Sequence, residues 1–204
     1  MSVAIIDYGL GNVTSVLGAL EKLGCEGVAT DRADDLERAE KLILPGVGAF
    51  GDGMANLHKR GLVEILNDLV LKRKKPILGI CLGFQLLAEE SEEFGLHKGL
   101  GWVKGRVTRL TSDEPALRVP HVGWNDLERT ADHLLYRDLP PDSLFYYVHS
   151  FALPVDPQTT VGACAYGRRF TAALQAGNVF GTQFHPEKSQ QAGLTLLGNF
   201  LKYA

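Results

Sequence analysis

The chain has 204 residues (22.2 kDa), 45% of them hydrophobic and 22% charged, with a formal net charge of -3 at pH 7. That length suits one domain with a sizeable core, and the charge balance excludes a basic face for nucleic acid and a polybasic segment for a membrane surface. The longest apolar stretch, about a dozen residues around Cys81, is too short to span a bilayer. Cys25, Cys81 and Cys164 are odd in number and far apart, so no disulfide framework is implied and a cytoplasmic location is expected. The first residues lack the basic segment and cleavage pattern of a signal peptide.

In chain order, residues 3–6 read as a buried strand that runs into Asp7-Tyr8-Gly9-Leu10-Gly11-Asn12. Val13, Val16, Leu17, Leu20 and Leu23 then share one face of a helix that Gly24 stops. Residues 28–30 form a second strand, and Asp34 and Asp35 open a short helix. Residues 41–44 form a third strand leading into Pro45-Gly46-Val47-Gly48. Leu62, Ile65, Leu66 and Leu69 mark a long helix ending in Lys72-Arg73-Lys74-Lys75, a solvated C-terminus that the helix dipole favours. Residues 77–80 are a fourth strand. Strands alternating with helices predict a parallel, doubly wound sheet.

After Glu93 the texture changes. Six short β-rich segments, 103–110, 119–124, 144–151, 161–166, 170–175 and 179–184, are separated by turn residues such as Asp113-Glu114-Pro115, Pro140-Pro141-Asp142 and Ala176-Gly177-Asn178. They predict a smaller mixed or antiparallel portion laid against the first sheet. Leu194, Leu197 and Leu201 mark a closing helix. With no linker, residues 1–204 read as a single α/β domain whose central sheet is mostly parallel, doubly wound and flanked by helices.

The chemistry centres on Gly79-Ile80-Cys81-Leu82-Gly83. An apolar run ends there, and helical spacing follows at Leu82, Gln85, Leu86 and Glu89. A strand that turns sharply into a helix, with glycines on both sides of the turning residue, is a nucleophile elbow. It strains the central backbone, leaves no room for neighbouring Cβ atoms and sets the cysteine at a helix N-terminus, where a thiolate is favoured. The bland reading is a tight turn with a buried, inert thiol.

A nucleophilic cysteine needs a base and a group that orients the base. His58, His97 and His133 lie in helical, loop or charged-turn stretches, and His121 and His149 in apolar strands read as hydrogen-bonded core or rim residues. His185 differs: it closes segment 179–184 and opens His185-Pro186-Glu187. In extended chain i and i+2 face the same way, so His185 and Glu187 read as a base with its orienting carboxylate.

Gly-Ile-Cys-Leu-Gly-Phe-Gln with a distant Phe-His-Pro-Glu resembles the class I (triad) glutamine amidotransferases. Asp7-Tyr8-Gly9-x-Gly11-Asn12, Pro45-Gly46-Val47-Gly48-Ala49-Phe50, Pro120-His121-Val122-Gly123-Trp124-Asn125, Tyr147-Val148-His149-Ser150 and His185-Pro186-Glu187-Lys188-Ser189 narrow this. Jointly they are similar to the glutaminase subunits of imidazole glycerol phosphate synthase, of histidine biosynthesis. The resemblance implies that Cys81 attacks glutamine to form a glutamyl thioester, that His185 moves the proton and that Glu187 holds His185. It implies backbone oxyanion donors at Val47 and Leu82, and glutamine contacts at Gly46, Gly48, Gln85 and Glu93. For Glu93 the alternative is a solvated charge among its acidic neighbours. It also implies that ammonia passes to a (β/α)8-barrel cyclase subunit, which makes imidazole glycerol phosphate and AICAR. The two subunits would form a heterodimer with Asn12, Trp124, Tyr146 and Lys188 on the docking face; core packing is the alternative for Tyr146. No cofactor or metal is expected, since no two His or Cys residues stand at ligand spacing.

Three rivals stay open. Gly9-Leu10-Gly11 with Asp31 about twenty residues later resembles a dinucleotide fingerprint, with Thr14 where a third glycine belongs. A cysteine peptidase could use the same elbow. A sister amidotransferase could serve another pathway.

Overall fold

A computed structural model describes residues 2–111 and 117–204. The turn at Asp113-Glu114-Pro115 lies outside the described residues. The elements run β1 (Ser2–Ile6), α1 (Val13–Lys22), β2 (Glu26–Thr30), α2 (Ala33–Arg38), β3 (Lys41–Gly46), α3 (Phe50–Lys59) and α4 (Leu62–Asn67), which continues as a π-helical turn, Asp68–Lys72. They continue with β4 (Ile77–Cys81), α5 (Leu82–Leu86), β5 (Ala88–Ser91), β6 (His97–Lys98), β7 (Val103–Arg109), β8 (His121–Asn125) and β9 (Glu128–Arg129). Last come β10 (Phe145–His149), β11 (Phe151–Ala152), β12 (Thr160–Tyr166), β13 (Arg168–Ala176), β14 (Val179–Thr182) and α6 (Gln190–Tyr203).

The main sheet has the order β2-β1-β3-β4-β14-β13-β12-β9. It is parallel from β2 to β14 and antiparallel beyond. Successive side chains of a strand face opposite ways. Val3 and Ile5 of β1 therefore pack on one side with Val16 and Leu20 of α1 and Leu197 and Phe200 of α6. Ala4 and Ile6 pack on the other side with Phe50 and Leu57 of α3 and Leu62 and Leu66 of α4. Helices on both faces make the sheet doubly wound. A four-stranded sheet (β11-β7-β5-β6) and a two-stranded β8–β10 ribbon complete the fold.

Three expectations change. First, the second-half strands divide: β14, β13, β12 and β9 extend the main sheet, with β14 parallel to β4, while β6, β7, β8, β10 and β11, together with β5, form the smaller sheets. Second, the helix after Cys81 is only five residues long, and Glu89 lies on β5. The carbonyls that would carry the helix onward are taken by distant donors: Leu100 N bonds Leu86 O (2.8 Å) and Trp102 N bonds Leu87 O (2.9 Å). Third, α3 has no counterpart in the sequence pattern. Two glycines inside it lower its propensity, but the Glu93 carboxylate accepts from the Phe50 N–H at 2.7 Å and caps its start.

Candidate active site

The ends of β3, β4 and the β14 segment converge. Gly46 pairs with Cys81 in register, and β14 lies beside β4 and leads to His185. Cys81 has φ 54° and ψ -108°, a strained conformation for a non-glycine residue that persists only where its surroundings dictate it. They do: a Cβ on Gly83 would overlap the Leu44 carbonyl oxygen, so the chain after the nucleophile is pressed directly onto β3. The thiol points into a cleft of about 180 Å³ that also touches Val47, Gly48, Leu82, Gln85, Glu93, Val148 and His185. The cleft thus gathers the residues predicted for catalysis and glutamine binding, except Gly46, beside Val47 in the chain, and Glu187, hydrogen-bonded behind His185.

The Cys81 thiol donates weakly to the Val148 carbonyl, 3.9 Å away. His185 Nδ1 is 2.8 Å from Glu187 Oε1, with both side chains only 1% exposed. The pair does form, but not on extended chain. β14 stops at Thr182, and Pro186–Lys188 is a 3₁₀ turn. Proline at its first position suits a helical start. His185 Nε2 has no hydrogen-bond partner in the protein. Burial pulls the imidazole down, but Cys81 and Glu187 outweigh that and push it up to about 10. The backbone locks the base from three sides: His185 N donates to Tyr146 O (2.9 Å), Tyr146 N to Ser189 Oγ (3.0 Å), and Ser189 Oγ to His185 O (2.6 Å).

Three further residues serve structural bonds. The Val47 N–H donates to Leu10 O at 2.7 Å, so in this structure it is engaged away from the thiol. Glu93 caps α3 while lining the cleft. Gln85 Nε2 donates to Phe151 O (2.8 Å) and Gln183 Oε1 (3.0 Å). Sequence reasoning missed Gln183, Phe151 and Ser189, whose parts depend on long-range contacts that no local pattern records.

Of the residues placed on a docking face, Trp124, Tyr146 and Lys188 cluster. The two rings meet edge to face at 6.0 Å, and Lys188 Nζ lies 5.9 Å from the Tyr146 ring. Asn12 is half-buried and opens α1, which packs against the 186–188 turn. The Gly9–Gly11 loop is not arranged for a dinucleotide: Leu10 O is bonded to Val47, and Asp31 is paired with Arg60 at 2.8 Å. Among the described residues no group of three or more His, Cys, Asp or Glu is placed to hold a metal ion, and no helix is long and apolar enough to cross a membrane.

A buried imidazole–carboxylate pair beside a strained cysteine at the carboxyl edge of a parallel sheet is the arrangement that a triad hydrolase requires. Residues 4–203 match the family model for class-I glutamine amidotransferase, and the chain belongs to that class. The structure of PurLQS from Thermotoga maritima has the same fold, with a TM-score of 0.75 at 22% identity over 99% of this chain and 98% of that one. Imidazole glycerol phosphate synthase subunit HisH 2 of Pseudomonas aeruginosa is 45% identical over 98% of both chains. HisH 1 of Campylobacter jejuni (strain RM1221) is 46% identical over 98% of this chain and 99% of its own. Within the class the chain is therefore a member of the HisH family of glutamine amidotransferase subunits.

Proposed function

We propose that residues 1–204 act as one cytoplasmic unit that hydrolyses glutamine for histidine biosynthesis, with Cys81, His185 and Glu187 as the catalytic triad. The observation that carries the residue roles is the strained Cys81 in one cleft with a His185 whose other nitrogen is held by a buried carboxylate. Cys81 sulfur, its proton already held by His185 Nε2, attacks the side-chain amide carbon of glutamine. That proton passes to the amide nitrogen, the C–N bond breaks and ammonia leaves a glutamyl thioester. His185 then takes a proton from water, which attacks the thioester; glutamate leaves and the thiolate is restored.

Oxyanion stabilisation falls to the Leu82 N–H, directly after the nucleophile, and to the Val47 N–H once the Gly46–Val47 peptide has turned over and left Leu10. Gly46 and Gly48 allow that turn, and Gln85 and Glu93 border the bound glutamine. On this reading the lone chain is nearly idle, and a partner that favours the turned peptide switches it on.

That partner is a (β/α)8-barrel cyclase subunit that uses the ammonia to make imidazole glycerol phosphate and AICAR. Support comes from exposed apolar residues: Val47 (40% exposed) and Val148 (36%) border the cleft, Val122 (56%) is paired with Val148 on the β8–β10 ribbon, and Trp124 and Leu144 are exposed nearby. Exposed apolar surface of this kind marks an interface. The test is Cys81→Ser, assayed for glutamate release with and without the cyclase, beside a melting curve. We expect turnover to fall by at least about 10³-fold with the fold intact. A glutamine-like electrophile should label Cys81 and spare Cys25 and Cys164. Retained turnover in folded Cys81→Ser would remove the nucleophile assignment.

A further inference from the structure

We propose that His121 and His149 are a positioning pair that aims the Gln85 amide into the glutamine cleft. The inference rests on reading Gln85 as a glutamine contact. Hydrogen bonds assign the protons on both rings. His149 Nδ1 lies 2.9 Å from the Phe151 carbonyl oxygen, which can only accept, so Nδ1 carries the hydrogen. Burial pushes His149 down to about 3 and His121 down to about 4, so each ring is neutral near pH 7 and carries one N–H. His149 Nε2 must then accept from His121 Nδ1, 3.1 Å away. His121 Nε2 is left as an acceptor, and Asn125 Nδ2 donates to it at 3.3 Å. His121 is held in place between the rings of Tyr147 and Tyr166, at 4.8 and 4.0 Å.

The donors therefore run one way, from Asn125 through both histidines to the Phe151 carbonyl. That carbonyl is also where Gln85 is anchored. One Gln85 N–H goes to Phe151 O and the other to Gln183 Oε1. Both donors are spent, so the Gln85 group left for a ligand is its Oε1 acceptor, which matches the ammonium or amide hydrogens of glutamine. If His149 took its other tautomer, a lone pair would face the Phe151 oxygen and the anchor of Gln85 would shift. The geometry thus gives two ring residues, one of them outside the cleft, a share in substrate recognition.

An asparagine amide nitrogen overlays histidine Nδ1, and a glutamine amide nitrogen overlays Nε2. That separates positioning from packing. Steady-state glutamine hydrolysis is measured with the cyclase subunit present for wild type, His149→Asn, His149→Gln, His121→Phe and Gln85→Ala. We expect KM to rise about tenfold in His149→Gln and His121→Phe with kcat little changed, and His149→Asn to stay within about threefold of wild type. Equal behaviour of His149→Asn and His149→Gln, whether both normal or both impaired, overturns the proposal, as does a loss carried by kcat instead of KM. If Gln85→Ala raises KM and His149→Gln does not, the pair does not aim Gln85, while the reading of Gln85 stands. If Gln85→Ala leaves KM unchanged, that reading fails and takes the inference with it.

Discussion

Strands β3 and β4 end side by side, with Gly46 opposite Cys81, and yet the two ends are built differently. The end of β4 is fixed: Cys81 is strained, and Gly83 presses on Leu44 so closely that the turn has no alternative. The end of β3 is held lightly. Val47 is 40% exposed, its N–H rests on one bond to Leu10, and Gly48, at φ +107°, has nothing within 4 Å of where a Cβ would stand. The comparison divides the site into a proposed nucleophile that packing fixes and a proposed oxyanion donor that one bond holds. Strain at the first is borne by the packing around it; on the proposed function, the second would answer to a partner.

On the side of the β3 end, the largest expected effect is at Val47. Proline has no N–H, so Val47→Pro removes both the bond to Leu10 and the proposed donor. Cyclase-stimulated turnover should drop about 10²–10³-fold, roughly 3–4 kcal/mol. Glutamine affinity in a Cys81→Ala background should change little. Full stimulation of Val47→Pro would show that the β3 end is not the moving part. Gly46→Ala, on the other side of the same peptide, is a poorer probe. Its Cβ would overlap the buried Tyr8 hydroxyl and lie 2.9 Å from Gly83 N, so it would disturb the fixed half as well.

Gly83→Ala sharpens the other side. The overlap with Leu44 should cost about 2–3 kcal/mol of stability, read as a lower urea midpoint. An unchanged midpoint would mean that the elbow yields as readily as its neighbour. A smaller effect is expected at the docking face. Lys188→Ala removes an exposed cation–ring contact of about 0.5–1 kcal/mol. Cyclase stimulation should fall about two- to fivefold, with the cyclase reaction on free ammonia retained; loss of that reaction too would point to a role outside coupling.

The smallest effect is a tilt of stability with pH. Buried His121 and His149 titrate below the ordinary histidine value, at about 4 and about 3. The unfolded chain binds protons first, so their contribution is present above about pH 6.5 and lost as pH falls toward 4 and then 3. His185 is opposite, raised to about 10, and its contribution is present below about pH 6.5 and lost as pH rises toward 10. Urea midpoints measured from pH 4 to 10 should be highest near neutrality, and His121→Phe should flatten only the acid side. Flattening of the alkaline side instead would contradict the assignment.

How much of this was legible depended on distance along the chain. The elbow was, because a cysteine between glycines at the end of an apolar run has few other uses. So was the His185–Glu187 pairing, although the extended geometry inferred for it was wrong: Pro186 starts a 3₁₀ turn instead. Glu89 was misplaced because the helical spacing runs on while Leu100 and Trp102, far along the chain, claim the carbonyls. Helix α3 was invisible because its cap, Glu93, is supplied from a loop more than forty residues later. The sheet was legible as parallel and doubly wound. That four of the second-half strands would join it was not, because hydrophobic alternation reports which face is buried and not which neighbour a strand chooses.

The β8–β10 ribbon belongs to neither larger sheet, and its two sides carry different kinds of information. Val122, Trp124, Tyr146 and Val148 look outward, while His121, Tyr147 and His149 look inward toward the chemistry. Alternation makes these sets separable: an even-numbered position can change without turning its odd-numbered neighbours. If this face carries the partner contacts, as proposed, all of it but Val148, which also borders the Cys81 cleft, can be redrawn while the residues around Cys81 stay as they are. Partner identity would then be written on every second residue of about ten, which gives a compact address for grafting this glutaminase onto a different ammonia-consuming enzyme.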